Sequence, residues 1–269
     1  WMFLSSFQEM RERMLREKNI TTMAQIGYNS FPSLNSKVVQ AAAFSFLNQR
    51  VGNYVGAFID LNSAPQSADK DAVFLERDLE NRFEVAADEF KKIPGSPLAF
   101  WVSDEARKAF EQNQELRSVA VSAGRIKTHD DSRYVRLFWE LPVETIAGNG
   151  RWLHYEKGGE FRKWYGCRFT VVDWSDGARK FYASVGGLNN PKLRGLEGVT
   201  WGQITSGGTS FRHKSDKAEN SSASPTLFVQ EGVEVDPLAL LNSKPASFLL
   251  KLLNPTLNAN PGDILSIPV

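Results

Sequence analysis

The sequence has very little cysteine and no long apolar run. Its single cysteine, Cys167, excludes a disulfide framework and a zinc site built on cysteine ligands, and it favours a reduced, cytoplasmic setting. No stretch of 18 apolar residues is present, so we expect no membrane-spanning helix and no membrane partner. The first seven residues are mostly apolar, but they lack the basic segment and the small-residue cleavage site of a signal peptide.

Motifs of several enzyme classes are also missing. There is no Gly-x-Gly-x-x-Gly pattern and no phosphate-binding Walker loop. The three histidines, His129, His154 and His213, are too scattered to predict a metal site. We therefore predict no catalytic residue, no metal ligand and no cofactor-binding residue in this chain.

One enzyme alternative stays open at this point. Asp78 together with Glu89 and Lys91 matches the sequence pattern of a metal-dependent nuclease, an Asp followed by Glu-x-Lys. A nuclease needs these residues on a strand that holds the metal, whereas here they fall within a predicted helix. The nuclease interpretation therefore rests on three residue types alone.

Length and composition indicate a globular protein. The chain has 269 residues, of which 42% are hydrophobic and 23% charged, close to the average for globular domains. This length corresponds to one large domain or two small ones. The first residue is tryptophan rather than methionine, from which we expect the sequence to be a piece of a longer protein.

The formal net charge of +1 hides an uneven charge distribution. Residues 124–217 carry 16 basic and 10 acidic side chains, whereas the segments before and after are net negative. The same basic segment contains five of the seven tryptophans: Trp139, Trp152, Trp164, Trp174 and Trp201. Cations interleaved with aromatic rings are typical of nucleic-acid surfaces. A β-rich core with a solvated basic rim is the alternative.

Apolar spacing predicts a helix and three strands at the start of the chain. The helix is predicted to begin with a capping box formed by Ser6 and Glu9 and to end near Asn19. Strands are predicted over 20–26, 38–47 and 54–61. The nearly continuous apolar run 41–47 is typical of a strand that is buried on both faces.

The pattern changes after residue 62. Helices are predicted over about 73–91 and 103–117. From residue 118 onward, short β-prone runs alternate with Gly, Asn and Asp turns, at 134–141, 169–174 and 226–229. Two helices are then predicted, one opened by Asp236 and Pro237 and one over 246–253.

Several runs, in order from residue 1 to residue 268, resemble one protein family. The most specific is 157–166, KGGEFRKWYG, and a second is 90–103, FKKIPGSPLAFWVS. Shorter runs lie at 1–7 with Arg11 and Arg13, 198–201, 211–212, 241–244 and 253–268. Together they resemble the C-terminal portion of PglX-type adenine-specific DNA methyltransferases of BREX phage-defence systems. The loop 124–134 departs from the family pattern, with His129 in place of a glycine and Asp131 in place of an asparagine.

The resemblance implies an α+β fold in three parts. Residues 1–61 correspond to the end of a Rossmann-like α/β methyltransferase fold, with a helix and buried strands. Residues 62–117 correspond to a helical connector, and residues 118–269 to a mixed, mostly-β target recognition domain with C-terminal helices. The family transfers a methyl group from S-adenosylmethionine to adenine N6. Its catalytic and cofactor motifs lie upstream, so this chain alone is expected to be inactive.

The resemblance also implies double-stranded DNA as the partner. The candidate DNA-binding residues form three clusters: Lys157, Arg162, Lys163 and Trp164; Arg125, Lys127, Arg133 and Arg136; and Arg212 and Lys214, beside Lys217. Trp164 and Tyr165 are expected to pack beneath the cations of the first cluster. Cations neutralise phosphates, whereas amide and guanidinium groups read base edges. A function of another class stays open, a platform that binds another phage-defence subunit or a DNA-mimicking phage inhibitor.

Overall fold

The described residues form two α+β units. The computed structural model describes residues 1–28, 30, 40–64, 68–76, 79–146, 150–205, 207–230 and 232–269. These residues divide into Trp1–Asn113, called unit 1 below, and Gln114–Val269, called unit 2. The predicted α+β class is confirmed, whereas the functional division at 61 and 117 stays a prediction. No helix in the described ranges is long and apolar enough to cross a membrane.

Unit 1 is built on a four-stranded sheet in the order β2-β1-β3-β4. Its strands are β1 (Asn19–Gly27), β2 (Ala41–Leu47), β3 (Val55–Asp60) and β4 (Arg82–Ala86). Strands β1 and β3 are parallel, and the other neighbouring strands are antiparallel. Its described helices are α1 (Gln8–Glu17), α2 (Lys70–Leu75), α3 (Ala87–Phe90) and α4 (Asp104–Gln112). Met23, Phe58 and Phe100 lie at the centre of its apolar core.

Strand β2 lies at the edge of this sheet, and the prediction that it is buried on both faces is wrong. Among the described strands it pairs with β1 alone. Phe44 and Phe46 are 42% and 45% exposed, and their rings stack at a centroid distance of 6.1 Å. An apolar run is buried on both faces only where other elements cover both, and this depends on contacts that are distant in sequence.

Two local predictions in unit 1 are also wrong. The range 82–86, predicted as helix, is strand β4, because it pairs with β3 and places Phe83 opposite Phe58. Aromatic and β-branched side chains pack well on such a surface. Helix α1 begins at Gln8, after a short 3₁₀ turn, so Ser6 does not cap it.

Unit 2 contains two four-stranded sheets among its described residues, in the orders β10-β9-β12-β5 and β11-β7-β8-β6. The strands are β5 (Ala120–Ser122), β6 (Val135–Leu137), β7 (Trp152–Glu156), β8 (Thr170–Asp173), β9 (Gly198–Trp201), β10 (Phe211–Lys214), β11 (Ala218–Asn220) and β12 (Thr226–Val229). The first sheet is antiparallel throughout. In the second, β11 and β7 are parallel, and the other pairs are antiparallel. The β-prone runs predicted over 169–174 and 226–229 are thereby confirmed as strands. Of the run predicted over 134–141, only 135–137 is a strand, because a 3₁₀ turn follows over Phe138–Glu140.

Helices pack against both sheets of unit 2. They are α5 (Asp131–Tyr134), α6 (Asp176–Ser184), α7 (Pro237–Asn242), α8 (Lys244–Leu253) and α9 (Pro261–Leu265). The Asp236 carboxylate accepts backbone N–H groups of α7 at 2.9 and 3.1 Å, which confirms the predicted helix start. The C-terminal helices bury Trp201 of the first sheet, and α6 packs Tyr182 onto the second.

Candidate nucleic-acid interface

The basic segment of unit 2 is anchored at one buried residue, Ile126. Its backbone N–H donates to the carbonyl of Asn220 at 2.8 Å, and the N–H of Lys127 donates to that of Gly187 at 2.8 Å. The Ile126 side chain is 1% exposed, whereas Arg125 and Lys127 are exposed. Because successive side chains of an extended backbone point to opposite sides, burial of Ile126 directs both cations outward.

The loop after this anchor keeps a tight turn in spite of its departure from the family pattern. His129 has φ = 55°, in the left-handed region that glycine adopts most readily. The Asp130 carboxylate caps α5. Asp131 accepts a hydrogen bond from Thr128 and forms an ion pair with Lys157. Burial opposes ionisation of Asp131, but the hydrogen bonds from Lys157 and Thr128 outweigh it and lower its pKa.

Arg133 and Arg136, the two other cations predicted to act with Arg125 and Lys127, differ in how accessible they are. The Arg133 guanidinium lies 5.0 Å from the ring centroid of Tyr134 and remains exposed. Arg136 is half-buried and donates to the carbonyls of Ser132 at 2.8 Å and Val135 at 2.7 Å. Arg133 is thus accessible for a phosphate contact, whereas Arg136 is held by its own turn.

The run 157–166 has a constrained backbone. Its three glycines and Trp164 all have positive φ, with 74° at Trp164. The N–H of Trp164 donates to the carbonyl of Phe211 at 2.8 Å, which fixes the run on strand β10. A β-carbon at Gly159 would lie 2.8 Å from the Cys167 sulfur, so this position requires glycine.

The aromatic side chains of this run are exposed. Trp164 and Tyr165 are 52% and 65% exposed, so the prediction that they pack beneath the cations is wrong. Tyr165 instead contacts the Arg168 guanidinium, 4.5 Å from its ring centroid. Lys163 is half-buried and donates to the last carbonyl of α7 at 2.7 Å. Among residues 162–164, Arg162 and Trp164 are therefore the accessible candidates.

The third predicted cluster lies in the interior of unit 2. Arg212 and Lys214 are each 1% exposed, and of this cluster Lys217 alone is exposed. Lys214 donates to two backbone carbonyls at 2.9 and 3.1 Å, and burial lowers its pKa. The buried carboxylates Glu156 and Glu219 compensate the two charges. In this structure Arg212 and Lys214 are interior charges that do not reach a surface ligand, which corrects their assignment as DNA contacts.

The buried carboxyl group of Glu156 makes a pH dependence of stability predictable. Burial raises its pKa from 4.5 to about 6, in spite of the nearby Arg168. The folded state therefore holds the proton more tightly, and this stabilisation is complete below pH 4.5 and lost as the pH rises through about 6. We expect the free energy of unfolding of unit 2 to fall by about 2 kcal/mol over this interval.

Urea denaturation at a series of pH values between these limits checks this prediction. Glu156→Gln carries no titrating proton, so the difference between the wild type and this variant isolates the Glu156 contribution. Parallel stability curves for the two proteins would contradict a raised pKa at this position.

Two adjoining clefts lie beside Ile126. The first, of about 300 Å³, is lined by polar side chains that include Arg125, Asn189, Asn190, Gln203, Asn220 and Thr226. The second, of about 520 Å³, is lined by polar side chains that include Lys127, His129, Asp131 and Lys157. Ser221 and Ser222 line both, so the clefts are neighbours.

Sequence reasoning missed the amide side chains of the first cleft. Asn189 and Asn190 precede Pro191, a pattern that is typical of a turn. Asn190 has φ = 41°, a positive value that such turns use. Gln203 belongs to no motif. The one signal in the sequence is that Asn189 and Asn190 are adjacent within the basic, Trp-rich segment. Adjacent asparagines are too common to identify a site by themselves.

The nuclease alternative gains no support from the described residues. Asp78 lies outside them. Lys91 forms an ion pair with Asp88 at 2.6 Å, and Glu89 forms one with Lys92 at 3.0 Å. Within the described ranges, no group of three His, Cys, Asp or Glu side chains is placed to hold a metal ion.

Comparison with known proteins finds similarity along the entire chain. No protein-family model matches the sequence. The chain is 29% identical to the adenine-specific methyltransferase PglX of Lacticaseibacillus casei (strain Zhang), over 100% of this chain and 24% of that protein. It is 30% identical to the adenine-specific methyltransferase BrxX of Escherichia coli O9:H4 (strain HS), over 100% of this chain and 23% of that protein. Over its whole length, the chain is thus similar to part of two adenine-specific methyltransferases, PglX and BrxX.

The resemblance inferred from the sequence runs is thereby confirmed. The chain spans about a quarter of the length of the curated relatives it matches, which is consistent with a C-terminal portion. The described helices of unit 1 do not offer an S-adenosylmethionine site at their starts. None of them follows a glycine-rich loop, since they begin after Phe7, Asp69, Ala86 and Ser103.

Proposed function

We propose that this chain supplies DNA-sequence recognition to a site-specific adenine-N6 methyltransferase of a phage-defence system. Both relatives are named adenine-specific methyltransferases, which supports a role in methylation of DNA adenine. In this proposal, the catalytic groups and the S-adenosylmethionine site belong to parts of the longer protein outside this chain. An enzyme that modifies one base selects a duplex site and holds it while the base leaves the stack.

The observation that carries the proposal is a set of cations and amides on one surface of unit 2. We call this the cleft surface, defined by Arg125, Lys127, Lys157, Asn189, Asn190 and Gln203. Arg125 and Lys127 make no ion pair with any described residue. Duplex DNA presents phosphates beside base edges, so cations adjacent to amides match its chemistry. Arg133, Arg162 and Trp164 are further accessible contacts in this proposal.

The salt dependence of duplex binding tests this proposal. Each phosphate that a cation neutralises contributes about 0.9 to the slope of log affinity against log salt. We expect Lys127→Ala to reduce the slope by about 0.9 and to weaken binding to all duplexes equally. Lys157→Ala is expected to act in the same direction, although its ion pair with Asp131 competes with DNA.

Fluorescence anisotropy of a labelled duplex between about 50 and 200 mM salt measures this slope. Lys108→Ala is the matched control, because Lys108 is exposed on α4 of unit 1 and outside the cleft surface. The control is expected to keep the wild-type slope. An unchanged slope in both Lys127→Ala and Lys157→Ala would remove the cleft surface from the proposal.

A protein-binding platform is the second candidate function, and an exposed aromatic cluster favours it. Trp139 is 59% exposed and packs edge-on against Phe138 and Phe169, at centroid distances of 5.0 and 6.3 Å. Aromatic residues are enriched in protein interfaces. A platform for an acidic phage-defence subunit or a DNA-mimicking phage inhibitor would show no preference among duplex sequences. Selection from a randomised duplex library therefore distinguishes the two functions.

A further inference from the structure

We propose that the amide side chains of the first cleft read adenine edges in duplex DNA, with Asn189 and Gln203 as specificity-determining residues. This inference rests on the proposed function, since it requires that unit 2 binds DNA. Asn and Gln side chains pair with adenine through two hydrogen bonds, one to the N6 amino group and one to N7. The inference separates these amides from Lys127 and Lys157, which contact phosphates.

The first argument is that the amide side chains of the first cleft have no hydrogen-bond partner among the described residues. The side chains of Asn189, Asn190 and Gln203 make no hydrogen bond to any described residue. Amides with a structural role in this chain behave differently. The Asn242 amide bonds the N–H and the carbonyl of Phe211, at 3.2 and 2.9 Å. The cleft amides therefore keep both the donor and the acceptor that a base edge requires.

The second argument comes from the buried polar groups that line the same cleft. Asn220 is 2% exposed, and its side-chain amide makes no hydrogen bond within the described part of the chain. Thr226 is 1% exposed, and its buried hydroxyl oxygen has no partner there. A buried polar group without a partner is unfavourable for stability. A polar edge bound in the cleft would supply a partner to the Asn220 amide.

The third argument is that the backbone is held in place at both of these positions. The N–H of Asn189 donates to the carbonyl of Arg125 at 3.2 Å. Gln203 is held on both sides, since its N–H donates to Ala223 at 3.0 Å and its carbonyl accepts from Ala259 at 2.8 Å. A backbone that is held in place before binding leaves only the side-chain rotations to be ordered when the amides bind.

The arrangement of the two clefts favours a duplex over a single nucleotide. Four amide side chains line the first cleft, and Lys127 and Lys157 line the second, which shares Ser221 and Ser222 with the first. A surface with adjacent zones for base edges and for phosphates fits a polymer in which both repeat side by side.

The experiment begins with selection of bound sequences from a randomised duplex library, using the 269-residue chain. The measured quantity is the specificity ratio, the affinity for the selected duplex divided by that for a scrambled duplex. Asn189→Ala and Gln203→Ala are each expected to lower this ratio by about 5- to 100-fold. Their salt slopes are expected to stay at the wild-type value, because neither variant removes a charge.

A modified duplex tests the adenine assignment directly. Replacing single adenines of the selected site with 7-deazaadenine removes the N7 acceptor. At the adenine that each amide reads, this replacement is expected to weaken binding of the wild type and to leave binding of the corresponding alanine variant unchanged. Gln230→Ala is the matched control, because Gln230 is exposed in unit 2 and lines neither cleft.

The outcomes separate the inference from the proposed function. If the wild type selects a sequence and both alanine variants keep its specificity ratio within about twofold, the inference is wrong and the proposed function stands. If the variants lose affinity equally for all duplexes, the amides are general contacts, and the inference is again wrong. If the wild type binds duplexes without any preference, both are wrong.

Discussion

Replacing Arg11 with alanine is expected to lower the free energy of unfolding of unit 1 by about 3–5 kcal/mol. The Arg11 side chain is 1% exposed. Its guanidinium donates to the carbonyls of Trp1 and Leu4 at 2.7 Å, to Gly95 at 2.6 Å and to Ser96 at 3.3 Å. No described carboxylate forms an ion pair with it, so these carbonyl groups stabilise its charge. The alanine variant leaves them without a donor and leaves a cavity between the N-terminal turn and the 95–96 turn.

Urea denaturation, followed through hydrogen exchange of unit 1 core amides such as Met23 and Phe58, measures this effect. Arg11→Lys is expected to recover part of the stability, because lysine keeps the charge but lacks the planar fork of donors. Arg13→Ala is the surface control. The Arg13 side chain is 71% exposed and pairs with Glu17, so its loss is expected to cost at most about 0.5 kcal/mol. Equal stability of the Arg11 and Arg13 alanine variants would contradict the structural role of Arg11.

Replacing Trp201 with alanine is expected to lower the free energy of unfolding of unit 2 by about 3–5 kcal/mol. Its side chain is 0% exposed and contacts the Phe211 ring at a centroid distance of 5.8 Å. The indole N–H donates to the carbonyl of Ala259 at 2.8 Å. The substitution therefore removes the largest buried side chain of this core and also leaves a buried carbonyl without its donor.

Chemical denaturation monitored by far-ultraviolet circular dichroism measures the loss. Trp201→Phe retains much of the packing but not the indole N–H, and we expect an intermediate stability. Trp139→Ala is the matched control, because Trp139 is 59% exposed, and a change within about 1 kcal/mol is expected. If the Trp201 and Trp139 alanine variants lost similar stability, Trp201 would not be a core residue.

Features that depend on neighbouring residues were predictable from the sequence. The cap at Asp236 and the proline that follows it define the start of α7, and the structure confirms it. The segments of β1, β3 and β12 were also predictable, because short apolar runs between turn residues are local signals. The charge pattern drew attention to the segment that contains Ile126, whose neighbours Arg125 and Lys127 are indeed exposed.

Features that depend on distant contacts were not predictable. The burial of Arg212 and Lys214 is not evident from the residues around them, because one of their two compensating carboxylates, Glu156, lies more than fifty residues away. The same holds for the first cleft, which joins segments around 125, 189, 203 and 220. Residue type alone made the Trp-rich segment look like an aromatic surface, whereas Trp201 is buried and Trp139 and Trp164 are exposed. Only tertiary pairing separates these roles.

Hydrogen–deuterium exchange of the chain, with and without a library-selected duplex, tests the central claim that the cleft surface binds DNA. We expect the duplex to slow exchange in three segments that are separate in sequence, 124–129, 187–190 and 220–223, because these segments line the two clefts. Unit 1 and helix α8 are expected to exchange at unchanged rates. Binding of the duplex with protection confined to other segments, and none at these three, would contradict the account.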